Sequence, residues 1–172
     1  MLVSIVVLCH DERVNDFDKK LRERLKKVDF DYEIIYVFQT HYVYLEQRPK
    51  NHAKFVCVKH FLQTRKETEK VYDAIEGEYV AILSPALTNS IYYMLEGLTF
   101  LKEKKYDMVT MMDGVLAHSF FTKLSCKIHQ LIHYKKICYI LKKDVIKAWL
   151  SKQNLTSMTS YYLPYEEISK KN

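Results

Sequence analysis

Three groups of residues in this chain have side chains suited to chemistry. His10, Asp11 and Glu12 follow directly on the apolar run Leu2–Leu8, so an imidazole and two carboxylates stand where a buried segment meets solvent. Asp113 closes a second apolar run, Asp107–Met112, and precedes Gly114. A carboxylate at such a point can act as a general base toward an attacking hydroxyl. The plainer readings are an ordinary Asp-Gly turn and a cap for the helix that follows Glu12. The third group is Cys126, His129 and His133, at i, i+3 and i+7, with Cys138 just beyond. Sulfur and imidazole at those offsets suit zinc. Three ligands from one helix is a tight geometry, however, and no CxxC pair supports it. Half-buried histidines on a basic helix satisfy the same pattern. Cys57 and His60 form no pattern.

The elements that would position these residues alternate regularly. Leu2–Leu8 (LVSIVVL) is short, β-branched and continuously apolar, which predicts a central parallel strand buried on both faces. Val14, Phe17, Leu21 and Leu25 recur at helical spacing over 14–27. Tyr32–Phe38, Lys54–Val58, Tyr79–Leu83 and Asp107–Met112 read as further strands. Helices are expected around Tyr42–Gln47, over Phe61–Ile75 with Gly77 as a C-cap, and from a Thr88 or Asn89 cap to about Lys104. Beyond these, Phe120–His133 reads as a basic amphipathic helix and Ile137–Leu141 as a strand. Asp144–Lys152 reads as a short helix and Tyr161–Leu163 as a last strand. Strand and helix in alternation predict an α/β fold with a mostly parallel twisted sheet and helices on both faces. No repeat or linker interrupts residues 1–172, so one domain is expected. Ligands in such folds bind at the carboxyl edge of the sheet, which places Asp113 and the His10–Glu12 trio on one edge.

Composition narrows the function. The 172 residues contain only three Gly and three Pro, with 14 Tyr and 8 Phe, which excludes collagen-like, linker-rich and disordered classes. Residues 1–113 are almost neutral. Residues 114–172 hold ten Lys, no Arg and three acids, so the whole positive excess lies in the last third. A solvated lysine face explains this, as does an anionic partner such as lipid headgroups or a polyprenyl phosphate. The apolar stripe Phe120, Phe121, Leu124, Ile128, Leu131 and Ile132 suits an interfacial helix on anionic lipid; packing against the sheet is the plainer explanation of the same stripe. Nucleic acid is disfavoured, because no arginine follows Arg65. The four cysteines lack pairing motifs and no signal peptide opens the chain, which implies reduced thiols and a cytoplasmic protein. The longest uncharged stretch, Tyr79–Leu95, carries several polar residues and falls short of a membrane span.

The wording of the segments adds a resemblance. VSIVVLCHDE (Val3–Glu12), then a helix, then DYEIIYV (Asp31–Val37) resembles the opening of family 2 glycosyltransferases, closest to the polyprenyl-phosphate (dolichol-phosphate) mannosyl- and glucosyltransferases. GEYVAILSPALT (Gly77–Thr88), Asp107–Met112, ICYILKKDVIKAWL (Ile137–Leu150) and YYLPY (Tyr161–Tyr165) resemble its later segments in the same order. The resemblance implies a Rossmann-like nucleotide-sugar (GT-A) fold and transfer of a hexose from a nucleotide diphosphate sugar to a lipid phosphate or saccharide. It implies nucleotide-sugar contacts at His10, Asp11, Glu12, Phe38, Ser84 and Ala86, and Asp113 is the best-placed base because it closes a strand at the carboxyl edge. Residues from about 114 to 172 would form a reduced acceptor part.

The departures from the family fall on its chemistry. Phe38-Gln39 replaces the Asp pair that faces the base, and Ser84-Pro85-Ala86 replaces the metal-binding DxD turn. The Asn-Gly loop after the third strand is missing, and Tyr134-Lys135-Lys136 stands where an acid is expected before ICYILKK. Mg²⁺ or Mn²⁺ with the nucleotide sugar would need hard oxygen ligands, of which serine offers one and alanine none. Two readings stay open: a metal-independent glycosyltransferase that meets diphosphate charge with Lys or His, and a catalytically silent scaffold that serves as a binding or assembly module. A third is a peripheral membrane protein that uses Lys-rich residues 123–152. The residues leave open whether the chain forms a homo-oligomer.

Overall fold

The computed structural model describes residues 1–9, 14–39, 53–59, 65–86, 90–104, 107–113, 135–150 and 160–164. Seven strands form one sheet: β1 (Leu2–Cys9), β2 (Asp31–Gln39), β3 (Ala53–Val58), β4 (Tyr79–Leu83), β5 (Met108–Asp113), β6 (Lys135–Lys142) and β7 (Ser160–Pro164). Their order across the sheet is β3-β2-β1-β4-β6-β5-β7. β1 pairs in parallel with β2 and β4, and β2 with β3. β6 is antiparallel to both neighbours, β4 and β5, and β7 is parallel to β5. Six strands therefore run one way and β6 runs against them. The expected mostly parallel α/β sheet is present. The chain order of its strands does not match their spatial order, because β6 inserts between β4 and β5.

Among the described residues, four helices cover the sheet: α1 (Val14–Leu25), α2 (Arg65–Ala74), α3 (Ser90–Lys104) and α4 (Lys143–Leu150). In α1, Val14, Phe17, Leu21 and Leu25 are buried at the predicted spacing, with Asp16 in the first turn and Arg22 and Arg24 in the last, which suits the helix dipole. α1 and α3 pack on the face carrying Val3, Ile5, Val7, Ile34, Tyr36, Ala81 and Leu83. Val71 and Ile75 at α2, and Ile146 of α4, pack on the other face with Val6, Ile35, Val37, Val80 and Ile82. Residues alternate between these layers along each strand, so β1 and β2 are buried on both sides, as their continuous apolar runs require. Each fully buried aliphatic side chain contributes roughly 1.5–3 kcal/mol, which makes the two layers the dominant stabilising term.

Gly77 does not cap α2, which ends at Ala74. Two lysines hold that helix end instead. Lys54 Nζ donates to the Ala74 carbonyl at 3.0 Å and Lys143 Nζ to the Ile75 carbonyl at 2.6 Å, placing positive charge at the negative end of the dipole. Gly77 serves a close approach: a Cβ there would lie 2.5 Å from the Ser4 nitrogen and 2.9 Å from the Leu2 oxygen. Among the described residues, no helix is long and apolar enough to cross a membrane. The segments 42–47 and 120–133, read above as helices, lie outside the described residues.

Candidate nucleotide-binding edge

The ends of the sheet differ in kind. At the amino edge, Glu33 of β2 is buried and gathers donors. Its Oε1 accepts the Ser4 hydroxyl and the N–H of Glu76 at 2.7 Å, with the Gly77 N–H at 3.3 Å. The Gly77 N–H also donates to Ser4 Oγ at 2.8 Å. Lys54 Nζ lies 2.7 Å from Glu33 Oε2 and 2.5 Å from Glu76 Oε1. Burial pushes the Glu33 carboxyl up, but Lys54, Ser4 and the Glu76 N–H outweigh it and hold the group below its ordinary value. On Lys54, burial opposes the charge, and Glu33 and Glu76 keep it protonated. The sequence reading missed this node. Its signal was present in a serine and a glutamate inside runs otherwise fit for burial, since buried polar groups need partners.

The carboxyl edge is where the chain leaves the sheet. One level row runs across it: Tyr36 pairs with Val7, Val7 with Leu83, Leu83 with Cys138, Cys138 with Met111, and Met111 with Leu163. The residues one or two steps outward are Cys9 and Phe38, then Ser84-Pro85, then Lys136-Lys135, then Met112-Asp113, then Pro164. Because β6 is antiparallel, it begins at the edge where the other strands finish. Asp113 thus ends β5 in register with Lys135, and Met112 with Lys136. The ladder is irregular between Met111 and Met112, so Ile137 is passed over just before the two lysines.

Asp113, Phe38 and Ser84 therefore come to one edge, as their sequence positions predict. His10, Asp11 and Glu12 lie outside the described residues, immediately after Cys9, which ends β1 on the same edge. Phe38 is only 4% exposed, and its ring stacks on Phe55 with centroids 6.2 Å apart, so its side chain is committed to the core. Beside it, the Tyr36 hydroxyl donates to Asp18, which also accepts Arg22 Nε at 2.9 Å. Burial, and then Asp18, push the Tyr36 phenol up. At the β4 turn, Ser84 is half-buried, Pro85 buried and Ala86 exposed. These three residues do not fit a carboxylate-held divalent ion: they offer one neutral hydroxyl besides backbone oxygens. Among the described residues, no three His, Cys, Asp or Glu side chains converge as metal ligands. Ser90, the first residue of α3, is fully buried, and its hydroxyl finds no partner among the described residues.

The other sequence candidates fare differently. Cys126, His129 and His133 lie outside the described residues. Cys138 is buried in the sheet, and burial pushes its thiol up, away from the thiolate that zinc requires. Cys9 is also buried, and Cys57 is exposed. Two lysines of the 123–152 stretch have structural partners: Lys142 pairs with Asp107 at 3.0 Å, and Lys143 holds the end of α2. At the amino edge a hollow of about 430 Å³ is lined by Met1, Val28, Phe30, Leu95, Leu98 and Lys102, among others.

No family model and no curated protein matches the chain. Solved structures do match in fold. The chain superposes on a 4-diphosphocytidyl-2C-methyl-D-erythritol synthase from Anaerococcus prevotii with a TM-score of 0.60 at 13% identity, covering 95% of this chain and 88% of that one. A CMP:2-keto-3-deoxy-manno-octonic acid synthetase complexed with CTP gives 0.54 at 8% identity, covering 95% and 90%. A mannosyltransferase from Pyrobaculum calidifontis in complex with GDP-Man and Mn²⁺ gives 0.59 at 11% identity, covering 95% of this chain. The chain spans 55% of that mannosyltransferase's length. The chain has the GT-A-like, Rossmann-like fold shared by these nucleotide-using transferases. At such identities the likeness establishes the fold.

Proposed function

We propose that the chain is a nucleotide-sugar-binding transferase, a divergent and reduced relative of family 2 glycosyltransferases in which residues 1–172 form one domain. The observation that carries this reading is the carboxyl edge, where Asp113, the Ser84 turn and the end of β1 at Cys9, which leads into His10–Glu12, come to the same side of the sheet. Neighbours of the same fold hold CTP and GDP-Man by their printed descriptions.

In this reading the nucleotide diphosphate hexose lies along that edge, with His10, Asp11, Glu12, Ser84 and Ala86 lining it. Phe38 contributes backbone and shape, since its ring is in the core. With a saccharide acceptor, Asp113 takes the hydroxyl proton as the oxygen bonds to the anomeric carbon; the bond from that carbon to the diphosphate oxygen breaks, and the nucleoside diphosphate leaves with the electron pair. A lipid phosphate acceptor is already ionised and needs less of a base. The β4 turn brings no carboxylate, so charge on the leaving group falls to the chain's cations. The lysine-rich last third would draw a lipid phosphate or an anionic membrane surface.

A silent scaffold is the second reading. The uncharged Ser84 and Ala86 and core-packed Phe38 favour it, because all three occupy positions where the family presents carboxylates. Thermal shift separates the two. UDP, GDP and CDP, each with EDTA or with Mn²⁺, stabilise a protein that retains the site by mass action. Stabilisation by at least one of them supports the transferase reading. No shift at millimolar nucleotide leaves the scaffold reading.

A further inference from the structure

We propose that Lys135 and Lys136 form the diphosphate-binding element of this edge and do the charge work that a metal would otherwise do. The inference deepens the transferase reading and rests on it. Three observations converge. First, among the described strands β6 alone starts at the carboxyl edge, so its first two residues stand among the outgoing tips of β4 and β5. Second, β6 is the direct neighbour of β4, with Cys138 level with Leu83, which brings the lysines alongside the Ser84-Pro85-Ala86 turn. That turn carries no charge at all. Third, the register irregularity at Ile137 falls between this row and the lysine pair, a placement typical of strand ends that present residues to a ligand.

Charge balance decides what such an edge can hold. A divalent ion can neutralise a diphosphate there only if hard oxygen ligands, usually carboxylates, hold it in place. Here the β4 tip is neutral, and the adjacent strand begins with two ammonium groups. Two monovalent cations supply the same positive charge as one divalent ion and need no acidic cage, since ammonium groups bind phosphate as point charges. Asp113 is level with Lys135 and is the acid among the described strand tips. It leaves the pair in net excess and is itself placed beside the phosphates. Lys142, at the far end of the same strand, is held by Asp107, and Lys143, which opens α4, holds the end of α2; both serve the fold. The six-residue separation along β6 divides ligand lysines from structural ones.

Calorimetric titration in EDTA tests this, using UDP, GDP, CDP and inorganic pyrophosphate. The variants are Lys135→Ala/Lys136→Ala, Lys135→Arg/Lys136→Arg, and a charge-matched control, Lys19→Ala/Lys20→Ala on the exposed side of α1. The expected result is metal-free binding of at least one diphosphate that weakens with salt. Affinity should fall about 100-fold in the double alanine variant, about tenfold per ammonium. It should be kept within about threefold in the arginine variant and in the control. Circular dichroism melts check that the variants fold; should the alanine variant unfold, Lys135→Gln/Lys136→Gln replaces it. Binding that requires Mn²⁺, or that ignores the lysine substitutions, overturns the lysine assignment and leaves the transferase reading standing. Pyrophosphate binding lost with the lysines, but with no nucleotide bound any tighter, keeps the anion site and sinks the transferase reading. Absence of any binding overturns both.

Discussion

The described residues at the two edges of the sheet differ in what surrounds them. At the amino edge, Ser4, Glu33, Lys54, Glu76 and Gly77 close on one another within hydrogen-bonding distance. Backbone bonds tie neighbouring strand ends together there: the Glu78 N–H donates to the Leu2 carbonyl, and the Lys143 N–H donates to the Glu78 carbonyl. At the carboxyl edge the strands deliver Cys9, Ser84, Asp113, Lys135 and Pro164 to one line, and the chain departs from each. A polar network that satisfies itself has nothing left for a ligand. The proposed ligand site accordingly lies at the opposite edge.

This contrast predicts large stability effects at the amino edge and small ones opposite. Gly77→Val should have the largest effect. Its added atoms would meet the Ser4 and Leu2 backbone, which cannot move without opening β1, at a cost of about 3 kcal/mol by urea denaturation. Glu33→Ala should follow at about 2 kcal/mol, because it strands Ser4 and the Glu76 N–H and releases Lys54, whose partial exposure limits the loss. This effect carries a pH signature. The Glu33 carboxyl is held below its ordinary 4.5, so its stabilisation is complete above that value and is lost as pH falls through the lower folded-state value. The gap in urea midpoint between the wild type and Glu33→Gln should therefore close on acidification below 4.5. A gap that persists unchanged would mean that the charge is not what matters.

Tyr36→Phe should come next, costing about 1.5 kcal/mol through the lost bond to Asp18. Because burial and Asp18 keep the phenol neutral, wild-type stability should also fall as pH rises above 10, where the unfolded chain ionises, and the phenylalanine variant should lose this component. Asp113→Asn should be smallest for the fold, within about 0.5 kcal/mol. It should lower sugar transfer to a saccharide acceptor about 100-fold or more if Asp113 is the base. A variant that melts early with transfer intact would reverse the comparison.

Much of the frame was legible in the sequence. The apolar runs at 2–8, 32–38 and 79–83 and the Val14, Phe17, Leu21, Leu25 spacing each specify their element locally, and each is found in place. The position of β6 was not legible. Pairing between residues 138 and 83 is non-local, and nothing in ICYIL marks its direction. That one antiparallel strand decides where Lys135 and Lys136 lie, so the sequence could show a missing acid there but not a cation pair beside the β4 turn. The role of Gly77 was misread for a related reason. A glycine three residues past a helix suggests a cap until the neighbouring strand is seen against it. Phe38 shows the reverse: the strand end was correct, but whether its ring faces crevice or core depends on the Phe55 stack supplied by β3.

Amide chemical-shift mapping asks most directly which edge is the binding edge. ¹⁵N-labelled protein titrated with UDP, GDP or CDP, with and without Mn²⁺, should shift the amides of Cys9, Ser84, Ala86, Asp113, Lys135 and Lys136. Those of Ser4, Glu33 and Gly77 should stay fixed. Shifts confined to Met1, Val28, Phe30 and Leu98 at the opposite hollow, or no shift with any nucleotide, would contradict the account.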